Sequence, residues 1–332
     1  MPVRQVFRIF CLSVLLFAGA LSATAQEYYT ISIRNGENRI KEKTLEDDLE
    51  FLSGERCNGR KTGTQGNFIA AAMIESRFKA LGMKPLGEYY NHSFRISDDL
   101  AGHNIAAYFP GSGRGYVVIG AHYDSLGSFD GTIYPGADSN ASGVAALLSL
   151  CEAIHYMNKL GRTFSKNIIL VAFDANQLNM AGSRAFADAL AKGEIKDPSS
   201  GNVLSAKDIS LFVNIDQIGS TLSPLGERPD YLIMLSSNDG AARSALASAN
   251  REAGTELELG YDYYGSKDFT RLFYYRICDQ RAFIDLGIRS VMFTSGITMN
   301  NNKPSDTVST IDFPVLRRRT SLIYYWLTRF IQ

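Results

Sequence analysis

Val117-Val118-Ile119-Gly120-Ala121 runs directly into His122-Tyr123-Asp124. Five small or aliphatic residues followed at once by an imidazole and a carboxylate read as a buried strand that ends on chemistry. The same grammar recurs twice downstream. The run 168–173 delivers Asp174-Ala175-Asn176-Gln177, and Phe212-Val213-Asn214-Ile215 delivers Asp216. In open α/β sheets ligands bind beyond the carboxyl ends of the strands, so the three polar clusters are expected to converge on one crevice.

Outward from these strands, helix-like and strand-like segments alternate with short Gly or Pro punctuation. Helical spacing of apolar residues predicts helices over 67–81, 142–158, 183–192, 240–253 and 314–330, with Asp312 and Pro314 marking the start of the last. Apolar runs predict strands over 104–109, 116–121, 167–173, 211–215, 231–235 and 290–293. No repeat, linker or low-complexity tract interrupts the pattern. It predicts a single α/β domain over 44–332, a central mixed, mostly parallel β-sheet flanked by helices, preceded by a polar extension over 26–43.

Composition narrows the function classes. The 332 residues carry 34 Lys plus Arg against 34 Asp plus Glu, and the one basic run is Arg317 to Arg319. That balance leaves no electrostatic footprint for nucleic acid, and the run reads as a solvated helix face. At the N-terminus, Arg4 and Arg8 precede an apolar core over 9–21 and the small residues Ala23-Thr24-Ala25. This is the pattern of a secretory signal peptide over 1–25, too short to span a bilayer. The expectation is an exported protein, periplasmic or secreted, with no membrane span after cleavage. Cys57, Cys151 and Cys278 then remain, an odd set without metal spacing that reads as three buried thiols.

A divalent metal takes imidazole nitrogen and carboxylate oxygen from rigid positions, with each imidazole oriented through its other ring nitrogen. His122, Asp138 and Asp216 can supply such ligands, and Asp124, two residues past His122 in an extended segment, can hold the other nitrogen. Asp138 lies in Gly136-Ala137-Asp138-Ser139-Asn140-Ala141-Ser142-Gly143, a tight loop leading into a helix. Asn140-Ala141-Ser142 also fits the glycosylation triplet, but its place inside this loop argues against modification.

The order and spacing of these pieces resemble the secreted zinc aminopeptidase family of bacterial leucyl aminopeptidase, glutamate carboxypeptidase and glutaminyl cyclase. The likeness begins at Phe51-Leu52 and Gly59-Arg60-Lys61-Thr62-Gly63-Thr64-Gln65-Gly66-Asn67 and continues through the His122 block and the Asp138 loop. Gly182-Ser183-Arg184, Asn214-Ile215-Asp216, Phe283, Gly287-Ile288 and Pro304-Ser305-Asp306-Thr307 complete it. The resemblance implies a zinc-aminopeptidase fold with two ions sharing one aspartate. His122 and Asp216 match the first ion's own ligands, Asp138 matches the bridge, and Asp124 matches the partner of the His122 ring.

The other half departs from the family pattern. Where the family has Glu-Glu, this chain has Asn176-Gln177: Asn176 stands at the general-base position and Gln177 at that of a second-ion ligand. Asn302 stands at the second-ion histidine position, and Cys278-Asp279-Gln280 replaces a Ser-Asp-His block. Carboxamides do not neutralise a dication, so at most one zinc or other divalent ion is expected. Loss of general-base help typically costs about 100- to 10,000-fold in rate, roughly 3 to 5 kcal/mol of barrier.

The expected function is an exported zinc-aminopeptidase-like protein, hydrolytically impaired, that binds a peptide or protein ligand in the old cleft. The alternative is an active mononuclear metallo-aminopeptidase releasing N-terminal residues, with Asp174 or Asp279 as substitute base. A glutaminyl cyclase would need Gln177 and Asn302 to act as Glu and His do there. Tyr261, Tyr263, Tyr264, Tyr274 and Tyr275 read equally as pocket lining or as ordinary packing.

Overall fold

The protein is described by a computed structural model covering residues 30–222, 228–237 and 239–332; the leader-like segment over 1–25 lies outside them. Eleven strands are present among the described residues. They are β1 (Lys84–Pro85), β2 (Asn91–Arg95), β3 (Ala101–Phe109), β4 (Tyr116–His122), β5 (Gly127–Phe129) and β6 (Thr132–Tyr134), then β7 (Asn167–Phe173), β8 (Ile209–Ile215), β9 (Tyr231–Ser236), β10 (Glu258–Gly260) and β11 (Ser290–Thr294). Nine of them form one mixed sheet in the order β1-β3-β7-β4-β8-β11-β9-β10, with β2 on β3, while β5 and β6 form a separate hairpin. The centre, β7-β4-β8-β11, is parallel; β3 on β7 and β9 on β11 run antiparallel. β4, β7 and β11 are buried along their whole length, as the unbroken apolar runs require for strands covered on both faces.

Beyond helical residues at 30–37, the α-helices among the described residues are α1 (Glu42–Ser53), α2 (Gln65–Ala80), α3 (Ser142–Lys159), α4 (Ala181–Lys192), α5 (Gly240–Ala253), α6 (Lys267–Arg276), α7 (Gln280–Asp285) and α8 (Phe313–Ile331). One face of the sheet packs on α1, α2, α3, α5 and α8 through Leu49, Ile74, Leu147, Leu246 and Trp326, all excluded from solvent. Helix α3 is apolar nearly all round and accordingly lies inside the core. The opposite face is covered by α4 and α7, where Phe212 and Phe283 stack with ring centroids 3.7 Å apart and Phe186 packs beside them. Helix α8 begins as its sequence announces: the Asp312 side chain accepts from the Val315 amide at 3.0 Å, with Pro314 in the first turn. Residues ahead of α1 also join the body, with Ile33 and Ile40 buried in the larger core.

The basic run is not a solvated face. Arg319 is wholly buried and donates to the carbonyls of Tyr231, Ile218 and Ser220 at 2.6, 2.9 and 2.8 Å. Arg317 donates to the Ile40 carbonyl and Arg318 pairs with Asp230 at 3.1 Å. A helix packed over strand ends meets unpaired carbonyls, and guanidinium groups satisfy several at once. Cys57, Cys151 and Cys278 are free and buried. Among the described residues no helix is long and apolar enough to cross a membrane.

Candidate metal centre and cleft

Strand register brings the polar clusters together. β4 and β8 are parallel neighbours in which Gly120 is level with Asn214, so the chain two residues further on places His122 and Asp216 at the same sheet edge. His122 Nε2 lies 3.5 Å from Asp216 Oδ1. On the other side of the ring, His122 Nδ1 lies 3.1 Å from the Asp124 carbonyl and 3.5 Å from Asp124 Oδ1. β7 is the other neighbour of β4, with Phe173 level with His122, and the chain leaving it crosses above Asp124. There the backbone amides of Asn176 and Gln177 donate to the two Asp124 oxygens at 2.9 and 3.0 Å. Burial would lower the His122 pKa, yet Asp124 and Asp216 override it and hold the ring well above the ordinary imidazole value.

The Asp138 loop is clamped from several sides. The Asp306 carboxylate accepts from the amides of Asp138 and Ser139 at 2.8 and 3.0 Å. Asn140 donates to the Ile215 carbonyl and accepts from the amides of Gly143 and Gln217, tying the loop to the end of β8. That carboxamide is fully buried in structural bonds, consistent with the expectation that the triplet is not modified. Gly136 takes the left-handed conformation, φ 60°, and a β-carbon there would strike Ser125 and the Ser139 carbonyl. Asp138 Oδ1 accepts from the Gly219 amide at 2.7 Å and from Ser142 Oγ at 3.0 Å, while Oδ2 is buried without a partner. Burial, reinforced by the like charge of Asp306, pushes this carboxyl up to about 6.

Sequence reasoning passed over the residue that supports this loop from below. Arg60 is wholly buried, and its guanidinium donates to the carbonyls of Leu52, Tyr123, Pro135 and Gly136 at 2.5, 2.7, 2.8 and 2.9 Å. The signal was an arginine among glycine and polar residues at 59–67, which composition alone does not distinguish from a surface turn.

The two candidates for a substitute base part ways. Asp174 turns from the cleft: it accepts from Thr62 Oγ1, Asn67 Nδ2 and the amides of Ala175 and His103, all at 2.8 to 3.0 Å. Asp279 is fully buried against the cleft. Its Oδ2 accepts from Asn176 Nδ2 at 2.9 Å and its Oδ1 has no partner. Burial pushes Asp279 up to about 6, opposed by the charge of His122. Cys278 also lines the cleft, but burial and then the nearby acids Asp216 and Asp279 push its thiol well up, so it stays protonated and a poor nucleophile.

The cleft measures about 490 Å³. His122 and Asp216 lie in its lining with the carboxamides of Asn176, Gln177, Gln217, Asn301 and Asn302, and the far wall is Tyr263, Phe273, Ile277 and Met292. Asn302 is exposed and adopts φ 57°. Thus Asn176, Gln177 and Asn302 share one cavity with His122 and Asp216, while Asp138 sits behind Ser139, which lines it.

The donor set fits a metal in part. His122 and Asp216 converge, and two enclosed oxygens have the character of ligands: Asp138 Oδ2, without a partner, and Asp216 Oδ1, which has no hydrogen bond and faces the His122 ring at 3.5 Å. Among the described residues, however, no group of three or more His, Cys, Asp or Glu side chains converges as a metal site does. The positions facing them are neutral amides. Among the described residues, therefore, the side chains present do not fit two closed coordination sets.

Solved structures share this architecture at low identity. The LapA aminopeptidase of Legionella pneumophila matches with a TM-score of 0.68 and 14% identity over 90% of this chain and 74% of its own. BSAP, a zinc aminopeptidase of Bacillus subtilis, matches with 0.65 and 14% over 88% and 96%. A glutaminyl cyclase of an Acidobacteriales bacterium matches with 0.67 and 18% over 88% and 94%. At these identities the likeness establishes a zinc-aminopeptidase fold. The chain spans only 16% and 19% of the length of two curated relatives that it matches. Peptidase family M28 matches residues 104–327, well over half of the sequence and all of the strands that build the cleft from β4 onward. By that match the chain belongs to peptidase family M28.

Proposed function

We propose that this member of the family is hydrolytically impaired and uses the cleft to bind a peptide or protein end, with at most one zinc or other divalent ion, for which His122 and Asp216 are the converging ligands and Asp138 would have to approach as the third. The observation that carries the reading is Asn176. It occupies the general-base position, and its carboxamide donates to Asp279 Oδ2 at 2.9 Å. An amide has no proton-accepting group near neutral pH, and general-base help is worth about 100- to 10,000-fold. Gln177 and Asn302 bring no charge to the second-ion positions. A metal bound at the first position would act as a Lewis acid toward a carbonyl oxygen; the chain's own residues orient the His122 ring through Asp124 and supply carboxamides that match peptide N–H and C=O groups. The leader-like segment over 1–25 supports export to the periplasm or beyond.

Metal content by mass spectrometry and turnover of a panel of aminoacyl anilides test this. The expected result is no more than one ion per chain and no chelator-sensitive turnover, with activity appearing in the triple variant Asn176→Glu, Gln177→Glu, Asn302→His. Turnover by the native chain that is lost with chelator and with His122→Ala overturns the reading.

One observation favours a second reading, an active mononuclear hydrolase: Asp279, beside Asn176, keeps a buried oxygen without a partner. Under it, Asp279→Asn abolishes turnover of the anilides; under the first reading there is no turnover to abolish.

A further inference from the structure

A second cavity, about 640 Å³, lies across helix α6 from the cleft: Phe273 lines the cleft, whereas Thr270, Arg271, Tyr274 and Tyr275 on the same helix line the second space. Its other walls come from the end of β9, from α5 and from the chain after β10. Three cationic side chains face it, Arg243, Lys267 and Arg271, against one acid, Asp262. Asp262 Oδ1 is already engaged by the Gly265 amide at 2.8 Å. No ion pair joins any of the three cations to an acid among the described residues.

Two further features mark the space as built for an acceptor-rich ligand. The Arg243 guanidinium lies over the Tyr261 ring, 5.0 Å from its centroid. Arg243 Nε and the Ser236 hydroxyl are both enclosed without a hydrogen-bond partner. Enclosed donors without acceptors, in a lining with an excess of two positive charges, are destabilising until an anion supplies the acceptors. A carboxylate offers two oxygens and one charge. A phosphate monoester offers three terminal oxygens and nearly two charges, matching guanidinium, ammonium and hydroxyl donors together. The exposed ring of Tyr275 beside the cations suits an organic group carried on that phosphate.

We propose that this cavity binds a small organic phosphate monoester, held by Arg243, Lys267, Arg271 and Ser236. The site is separate from the His122 cleft and does not depend on whether that cleft is catalytic.

Titration calorimetry of the full processed chain at low ionic strength tests it, with phenyl phosphate as the probe and inorganic phosphate and phenol as the comparison arms. One phenyl phosphate is expected per chain, bound more tightly than inorganic phosphate, with no binding of phenol. Lys267→Ala, Arg271→Ala and Arg243→Gln are each expected to weaken binding about tenfold or more, as loss of a charge-assisted hydrogen bond does. Lys267 and Arg271 are exposed, so their variants are expected to keep the native melting temperature. His122→Ala is expected to leave the affinity unchanged. The proposal is overturned if phenyl phosphate fails to bind at millimolar concentration. It is overturned equally if binding is lost with His122→Ala and kept in the Lys267 and Arg271 variants, which places the anion in the cleft. Equal affinities for phenyl phosphate and inorganic phosphate overturn the assignment of an ester.

Discussion

Replacing Asp279 by Asn tests whether the carboxyl beside Asn176 is held against its ionisation. The substitution is nearly isosteric and keeps an oxygen for the Asn176 amide, which donates to Asp279 Oδ2 in the native chain. Burial raises this carboxyl from 3.8 to about 6. At 1.36 kcal/mol per decade, ionising it in the folded protein costs about 3 kcal/mol relative to the unfolded chain. The sign follows from proton linkage. Between the two values the folded state holds the proton and the unfolded state has released it, so this group's contribution is fully present below 3.8 and declines as pH rises through about 6. Roughly half of the loss, about 1.5 kcal/mol, falls between about pH 5 and pH 8. Urea unfolding of metal-free native and Asp279→Asn chains across that range is the assay. Subtracting the two stabilities cancels every distant titration, and the variant is expected to gain on the native chain steadily until about pH 7. A difference that stays flat within about 0.5 kcal/mol would refute the idea that this carboxyl is strained by burial.

Other perturbations probe the framework. Arg60→Lys keeps the charge but loses the planar fork; with two of the four carbonyls abandoned at about 1.5 kcal/mol each, urea unfolding is expected to show a loss of about 3 kcal/mol. Phe283→Ala removes a ring stacked on Phe212 at 3.7 Å and is expected to cost about 3 to 5 kcal/mol by the same assay. Asp312→Ala removes the cap that accepts from the Val315 amide, with an expected loss of about 1 kcal/mol and no change in peptide or metal binding.

Much of the sheet was legible because its strands are covered on both faces. A strand such as β7 reads as an uninterrupted apolar run, and its observed span, Asn167–Phe173, coincides with the expected one. Helix α8 was legible for a different reason, a local one: Asp312 and Pro314 act on the first turn alone. The short strands β1, β2, β5, β6 and β10 were not anticipated, since two to five residues at an edge carry too little periodicity to register. Helix α6 escaped notice because only Tyr274 among its residues is buried, leaving no clear apolar stripe.

For the site, residue type and order were enough to identify the family and to raise the expectation that amides stand at three of its positions. That information is chemical and local, since an Asn at 176 lacks a titratable group in any conformation. Where the carboxylates point depends on contacts between residues far apart in the chain. Asp174 and Asp279 are equally acidic in sequence, yet four bonds to Thr62, Asn67, Ala175 and His103 draw one away while Asn176 holds the other against the cleft. The arginines make the same point. Arg319 reads as part of a solvated face and Arg60 only as one residue of a family-like stretch, and only the packed chain supplies the inward-facing carbonyls that make a buried guanidinium the favourable choice. Composition names the groups available; the long-range hydrogen bonds of the folded chain decide which of them meet.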